Sequence, residues 1–227
     1  MARGCDDHQV SEPARRNYAG RSAEARRSER RARILDTALE VLADGDWRGI
    51  TVDKLCTAAG LNKRYFYESF SDLDTVATAV VDEIAEELRT AAVDAAAARS
   101  GQPLALQALA TVAALVDTLA GDPRRAKVLL GTVAISPALQ SHRDDIMAGL
   151  TAVLVEHARS VHDVELEKDP LAQVAPAFII GGTADAILAF VEGRARMSKD
   201  ELVQSIATLW MITGNGAAHV AQARRPH

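Results

Sequence analysis

The 227-residue sequence is poor in rings, sulfur and histidine. Aromatic residues make up 4% of it, and its two cysteines, Cys5 and Cys56, cannot form a disulfide framework or a CxxC metal site. The histidines stand at positions 8, 142, 157, 162, 219 and 227, with no HExxH and no i, i+4 pair, so no metal or other cofactor is expected. His142 beside Asp144 and Asp145 reads as a helix surface rather than an acid/base centre. Gly214-Asn215-Gly216 begins a dinucleotide fingerprint, but His219 occupies its final glycine position and the stretch is helical, which argues against nucleotide chemistry. No apolar run is read as approaching the ~18 residues of a membrane span, so no membrane partner is expected. The N-terminus carries charges where a signal peptide needs an apolar segment, so the expected compartment is the cytoplasm. Strand-like alternation is missing as well. The expected fold class is all-α.

What is present is an uneven charge. Residues 1–67 hold 13 Lys and Arg against 10 Asp and Glu, a net +3, whereas residues 68–227 carry a net −8. Arg15 to Arg33 contains eight arginines opposed only by Glu24 and Glu29. A basic first third on an acidic remainder suggests a polyanionic partner for the N-terminal part alone.

Periodicity and caps divide the chain. Residues 1–21 are polar, arginine-rich and without period, and are expected to be a flexible basic arm. A first helix runs from about Ser22 to Ala43, with Ile34, Leu35, Ala38, Leu39 and Leu42 as its apolar stripe. Trp47 and Ile50 follow as core plugs. Thr51 caps a second helix stopped by Gly60, with Leu55 and Ala58 inward, and Asn62 caps a third from Lys63 to Ser69. A fourth helix starts at Ser71 or Asp72 and reaches about Arg99. Beyond Gly101, about five more apolar helices are marked by Pro103, Gly121-Asp122-Pro123, Ser136-Pro137, Asp169-Pro170 and the capping box Ser198 to Glu201. Pro176 predicts a break or kink in the helix opened by Pro170. The last two helices look too apolar for a monomer's surface, with a band of Ile206, Leu209, Trp210 and Ile212. Small residues such as Gly181, Gly182, Ala184 and Ala186 would let them pair with their copies across a two-fold axis. Asp185, inside an apolar helix, could face a ligand, a dimer partner or only its own helix surface.

The stretch Thr51 to Phe70, TVDKLCTAAGLNKRYFYESF, has helix-turn-helix grammar: two short helices joined at Ala59-Gly60-Leu61. Phe66 and Phe70, i, i+4 neighbours, anchor the third helix on the core. Lys63 and Arg64 are placed for phosphates or guanine edges. Tyr65 and Tyr67 can offer a hydroxyl or a ring face, and Thr51 a phosphate contact.

TVDKLCTAAGLNKRYFYESFSDLDTV, with Ile34-Leu35-Asp36-Thr37-Ala38 before it, resembles the DNA-binding segment of TetR-family transcriptional regulators. The resemblance covers roughly residues 28–80. It implies that Thr51, Asn62, Lys63, Arg64, Tyr65 and Tyr67 lie on the DNA side, over a helix-turn-helix domain at residues 22–71. It further implies that residues 72–227 form a ligand-binding and dimerisation domain whose first helix links the two. Two positions depart from the family pattern: Leu73 stands where relatives place a Lys, and Cys56 replaces a usual Ala. The implied function is that of a homodimeric regulator, in the first instance a repressor released from a palindromic operator by a small apolar or amphipathic effector. Leu115, Met147 and Phe178, with Asp185, are the candidate ligand-binding residues. The rival expectation is a helical small-molecule-binding protein or enzyme whose basic arm is incidental.

Overall fold

A computed structural model describes residues 22–131, 136–162 and 169–224. The basic arm expected over residues 1–21 lies outside them. Among the described residues there is no strand, and the helices are α1 (Ala23–Ala43), α2 (Val52–Ala58), α3 (Lys63–Tyr67), α4 (Leu73–Ala97), α5 (Leu104–Ala120), α6 (Pro123–Leu130), α7 (Pro137–His162), α8 (Pro170–Val191) and α9 (Lys199–Ala223). A 3₁₀ turn at Asp46–Gly49 follows α1 and buries Trp47.

Local chemistry sets most of these boundaries. Ser22, Thr51, Asn62, Asp72, Asp122, Asp169 and Ser198 each accept a hydrogen bond from a first-turn amide of the helix they open, satisfying a donor that has no partner inside the helix. Glu201 returns a bond to the Ser198 backbone, completing the capping box. Gly45 and Gly60 end their helices at φ of +81° and +62°, a region that other residues enter only with strain.

The first three helices and α4 share one apolar interior with the rest of the chain. Ile34, Leu42, Leu55, Phe66, Val76 and Val81 are sealed within it, and the cluster continues through Val112, Val116 and Leu129 to Ile187 and Ile206. α4 is the continuous element, packing on α1, α5, α6 and α7. Ion pairs and a histidine–carboxylate hydrogen bond cross this junction. Arg31 on α1 meets Glu83 on α4 at 2.5 Å, and His142 on α7 meets Asp82 on α4 at 2.6 Å. Arg125 on α6 pairs with Glu87. Arg124, at the start of α6, spans Asp122 at 2.7 Å and Asp36 on α1 at 3.0 Å. At the other end of α6, buried Arg143 donates to the carbonyls of Leu129 and Gly131. Its Nη1 has no hydrogen-bond partner among the described residues, and burial pushes its pKa down.

Three expectations need correction. Ala58 is exposed and Ala59 is buried, because α2 turns Leu55, Cys56 and Ala59 inward. α8 runs unbroken through Pro176, which lies within its second turn. Val174–Val191 of α8 is long and apolar enough to cross a membrane, with mean hydropathy 1.9 over 18 residues, contrary to the sequence reading. Gly181-Gly182-Thr183 and Asp185 interrupt the run in sequence. In the fold, α8 packs on α9, α7 and α6.

Replacing Gly60 with Ala is expected to cost about 1 to 2 kcal/mol, since its φ is positive and disfavours a side chain. The added Cβ would also lie 2.8 Å from Arg33 Nη2, whereas at Gly45 nothing lies within 4 Å. Gly45→Ala therefore pays only the backbone term, and urea melts of the two variants separate the contributions. Asp122 supplies a pH test. Hydrogen bonds from Arg124 hold its carboxyl below the ordinary value of 3.8. A depressed folded pKa stabilises the fold above the unfolded value, and that stability is lost as pH falls through the folded one. Melts of Asp122→Asn between about pH 5 and pH 2 are expected to show a shallower loss than wild type.

Candidate nucleic-acid interface and ligand cavity

The helix-turn-helix is closed by its backbone. Gly60 N donates to Thr57 O at 3.1 Å and Leu61 N to Cys56 O at 2.9 Å, so the chain leaves α2 through a left-handed glycine. Asn62 Oδ1 then accepts from Arg64 N at 2.8 Å and starts α3. Phe66 is fully buried and its ring lies 6.0 Å from that of Phe70, as the spacing predicts. Cys56 is buried too, and desolvation raises its thiol pKa.

Around this anchor the six predicted DNA-side residues are all exposed, but they are not equivalent. The side chains of Thr51 and Asn62 serve as caps, the former accepting from Lys54 N at 3.2 Å. Lys63 Nζ sits 2.6 Å from Asp53 Oδ1 on α2, and Arg64 Nε sits 3.3 Å from Glu68 Oε1. Tyr67 is 60% exposed and leans edge-on against Phe66 at 5.2 Å. Tyr65 points toward α1, where the Arg30 guanidinium lies 4.2 Å from its ring centre. At the start of α4, Leu73 is half-buried against the core between exposed Asp72 and Asp74, so the cation that relatives carry there has no counterpart. Backbone and side-chain bonds from Thr75 hold the Asp72 carboxyl below its ordinary pKa.

The arginines of α1 have a role that the sequence reading missed. Arg33 Nη2 donates to Ala59 O at 2.5 Å, and Arg27 Nη2 to Glu68 O at 2.5 Å. Arg30 adds a bond to Glu68 Oε2 at 3.3 Å. Arg33 and Arg27 sit on the C-terminal carbonyls of α2 and α3, where the helix dipole is negative, and with Arg30 on the Glu68 carboxylate they fix the two short helices to α1. The signal in the sequence is their spacing: Arg27, Arg30 and Arg33 recur at i, i+3 intervals, the pattern of a face rather than of a random basic run.

A second feature lies among α4, α5, α7, α8 and α9. A cavity of about 350 Å³ opens there between mostly apolar walls, with Leu115, Leu119, Met147, Ile179, Ile187 and Trp210 among its lining. Thr183 reaches it and accepts a hydrogen bond from Trp210 Nε1 at 2.7 Å. Of the predicted ligand residues, Leu115 and Met147 line this space. Phe178 and Asp185 do not, which corrects both assignments: Phe178 is 67% exposed and Asp185 is also exposed. The reason is helical phase. Ala175, Ile179, Thr183 and Ile187 occupy the inner face of α8, and Phe178 and Asp185, seven residues apart, share the outer one.

That outer face is apolar apart from Asp185. Val174, Phe178, Leu209 and Ile212 are all exposed, with Gly181, Gly182 and Gly216 between them. The band expected on α9 is narrower than predicted: Ile206 is buried and Trp210 turns toward Thr183, leaving Leu209 and Ile212 outward.

No protein-family model and no curated protein matches the chain. Solved structures do. The fatty acid degradation regulator FadR of Bacillus halodurans aligns over 80% of this chain and 94% of its own, with TM-score 0.65 and 18% identity. A TetR-family transcriptional regulator from Streptomyces coelicolor aligns over 88% and 90%, with TM-score 0.64 and 17% identity. FadR of Bacillus subtilis, solved in complex with stearoyl-CoA, aligns over 79% and 96%, with TM-score 0.62 and 18% identity. The chain has the all-α fold of TetR-family transcriptional regulators, an N-terminal helix-turn-helix followed by a larger helical bundle.

Proposed function

We propose that the chain is a homodimeric, sequence-specific DNA-binding regulator, a repressor released from a palindromic operator when a small apolar or amphipathic ligand fills the cavity. The observation that carries this reading is the construction of α3. Its core side is fixed by Phe66 and Phe70, its C-terminal end is tied to α1, and its free side presents Lys63, Arg64 and Tyr67. A short helix so held is suited to the major groove, with its first residues nearest the bases. Lys63 and Arg64 serve phosphates or guanine edges, and Tyr67 and Thr51 offer hydroxyls to phosphate. Asn62 acts through the cap that orients Arg64, and Tyr65 carries Arg30 to the rim. Residues 22–71 form the DNA-binding unit and 72–227 the ligand-binding and dimerisation unit. Its place of action is the cytoplasm, and no catalytic role is assigned.

The outer face of α8 and α9 supports the homodimer. Four exposed large apolar side chains flank glycines that allow close helix approach, which suits pairing with the same face of a second copy. The two α3 helices would then meet successive major grooves about 34 Å apart. The cavity's apolar walls suit the tail of a ligand of the stearoyl-CoA kind carried by the Bacillus subtilis neighbour. Filling it shifts the dimer toward a shape with the wrong α3 spacing, and a coupling of ~1 to 3 kcal/mol is the usual scale.

Selection of bound duplexes from a random pool is expected to return a palindrome, and a pool without enrichment would remove the reading. Lys63→Ala should weaken binding to the selected palindrome more than binding to a random duplex. Tyr67→Phe should lose about fivefold, the scale of one hydrogen bond, with helix content unchanged in both variants. For the cavity, stearoyl-CoA is expected to alter Trp210 fluorescence. Trp47, buried in the helix-turn-helix core, keeps its emission, so Trp210→Phe should abolish the response; an unresponsive wild type would dismiss the acyl ligand.

A further inference from the structure

Both cations at the start of α3 are already engaged by carboxylates of the same motif. Lys63 Nζ lies 2.6 Å from Asp53 Oδ1, with the two side chains 53% and 68% exposed. Arg64 Nε lies 3.3 Å from Glu68 Oε1, with exposures of 83% and 34%. Residues 51–70 hold three cations, Lys54, Lys63 and Arg64, against Asp53 and Glu68, so the presented face has a net charge of only +1. Lys54 is also occupied, donating to Gly49 O at 3.1 Å.

These pairings have little to do with stability, since exposed ion pairs contribute little to it. Their effect falls on the approach of a polyanion. Sequence-independent DNA affinity comes from cations that replace condensed counterions on phosphates. A lysine held by a carboxylate gains little from such a contact, because it exchanges one anion for another and leaves Asp53 facing the phosphate backbone. Base-edge hydrogen bonds, available only at the right sequence, supply the further interaction that draws Lys63 away.

We infer that Asp53, with Glu68 in support, is a specificity-determining residue that restrains sequence-independent DNA binding by holding Lys63 and Arg64 off generic phosphates. This rests on the DNA-binding reading above. Asp53 is the cleaner position to test, because the Glu68 carboxylate also bonds Arg30 and its carbonyl accepts from Arg27.

The experiment measures binding of the full chain to a random-sequence duplex of about 30 base pairs by fluorescence anisotropy, from ~50 to ~200 mM salt. Wild type is compared with Asp53→Asn and with Asp94→Asn, a control that removes one charge from the exposed Asp94 on α4. Asp53→Asn is expected to bind about three- to tenfold tighter at ~50 mM salt, with a slope steeper by about 0.9, the signature of one added phosphate contact. Asp94→Asn should match wild type, and the gain should vanish in an Asp53→Asn, Lys63→Ala double variant. Equal affinity and slope in Asp53→Asn and Asp94→Asn would overturn the inference while leaving the DNA-binding reading in place. Failure of wild type and every variant to bind any duplex at ~50 mM salt would overturn both.

Discussion

A helix of five residues has too few internal hydrogen bonds to hold itself, so α3 exists only because Phe66 is driven into the interior. Its ring has no exposed surface, and Phe70 completes the contact one turn later. The Asn62 cap orders the first turn, while Arg27 and Arg30 hold the last residue. Every group on the free side of α3 owes its direction to this attachment. Without the buried ring, Lys63, Arg64 and Tyr67 would be mobile side chains on a loop.

The same interior joins α3 to the cavity. α4 joins that interior through Val76, Val80 and Val81 and lines the cavity with Leu88, Ala92 and Ala96 further along. The shorter α6 also bridges the two regions: Leu130 reaches the cavity wall, and Arg124 at its other end meets Asp36 on α1. α4 and α6 thus each touch both the cavity and α1, the helix that holds α2 and α3. Close packing makes such elements move as units rather than deform, which is the property a ligand-sensitive regulator requires.

The helices were legible because their signals are local. Caps at Ser22, Thr51, Asn62 and Ser198, stops at Gly45 and Gly60, and the Phe66–Phe70 spacing depend on residues a few positions apart, and the structure places each as the sequence suggests. Assignments that needed the phase of one helix against another fared less well. Phe178 and Asp185 lie on the outer face of α8, and a helix lined with apolar residues on all sides does not say which face is inside. Ala58 was misplaced for a related reason: in a short helix, one residue of phase moves a side chain between core and solvent. The α1 arginines were read as partners for a polyanion because the carbonyls they bind belong to α2 and α3, distant in sequence.

By itself, the sequence determined an all-helical chain, the positions of its caps and turns, the helix-turn-helix and the two-sidedness of α3. These follow from helical period and capping chemistry, which act within one or two turns. Tertiary structure decided which cations are free and which are bound, which face of α8 lines the cavity, and that Lys63 and Arg64 are held by Asp53 and Glu68. Such pairings depend on where helices cross and how each is rotated about its axis. Packing of the whole interior sets those quantities, and no local stretch of sequence encodes them.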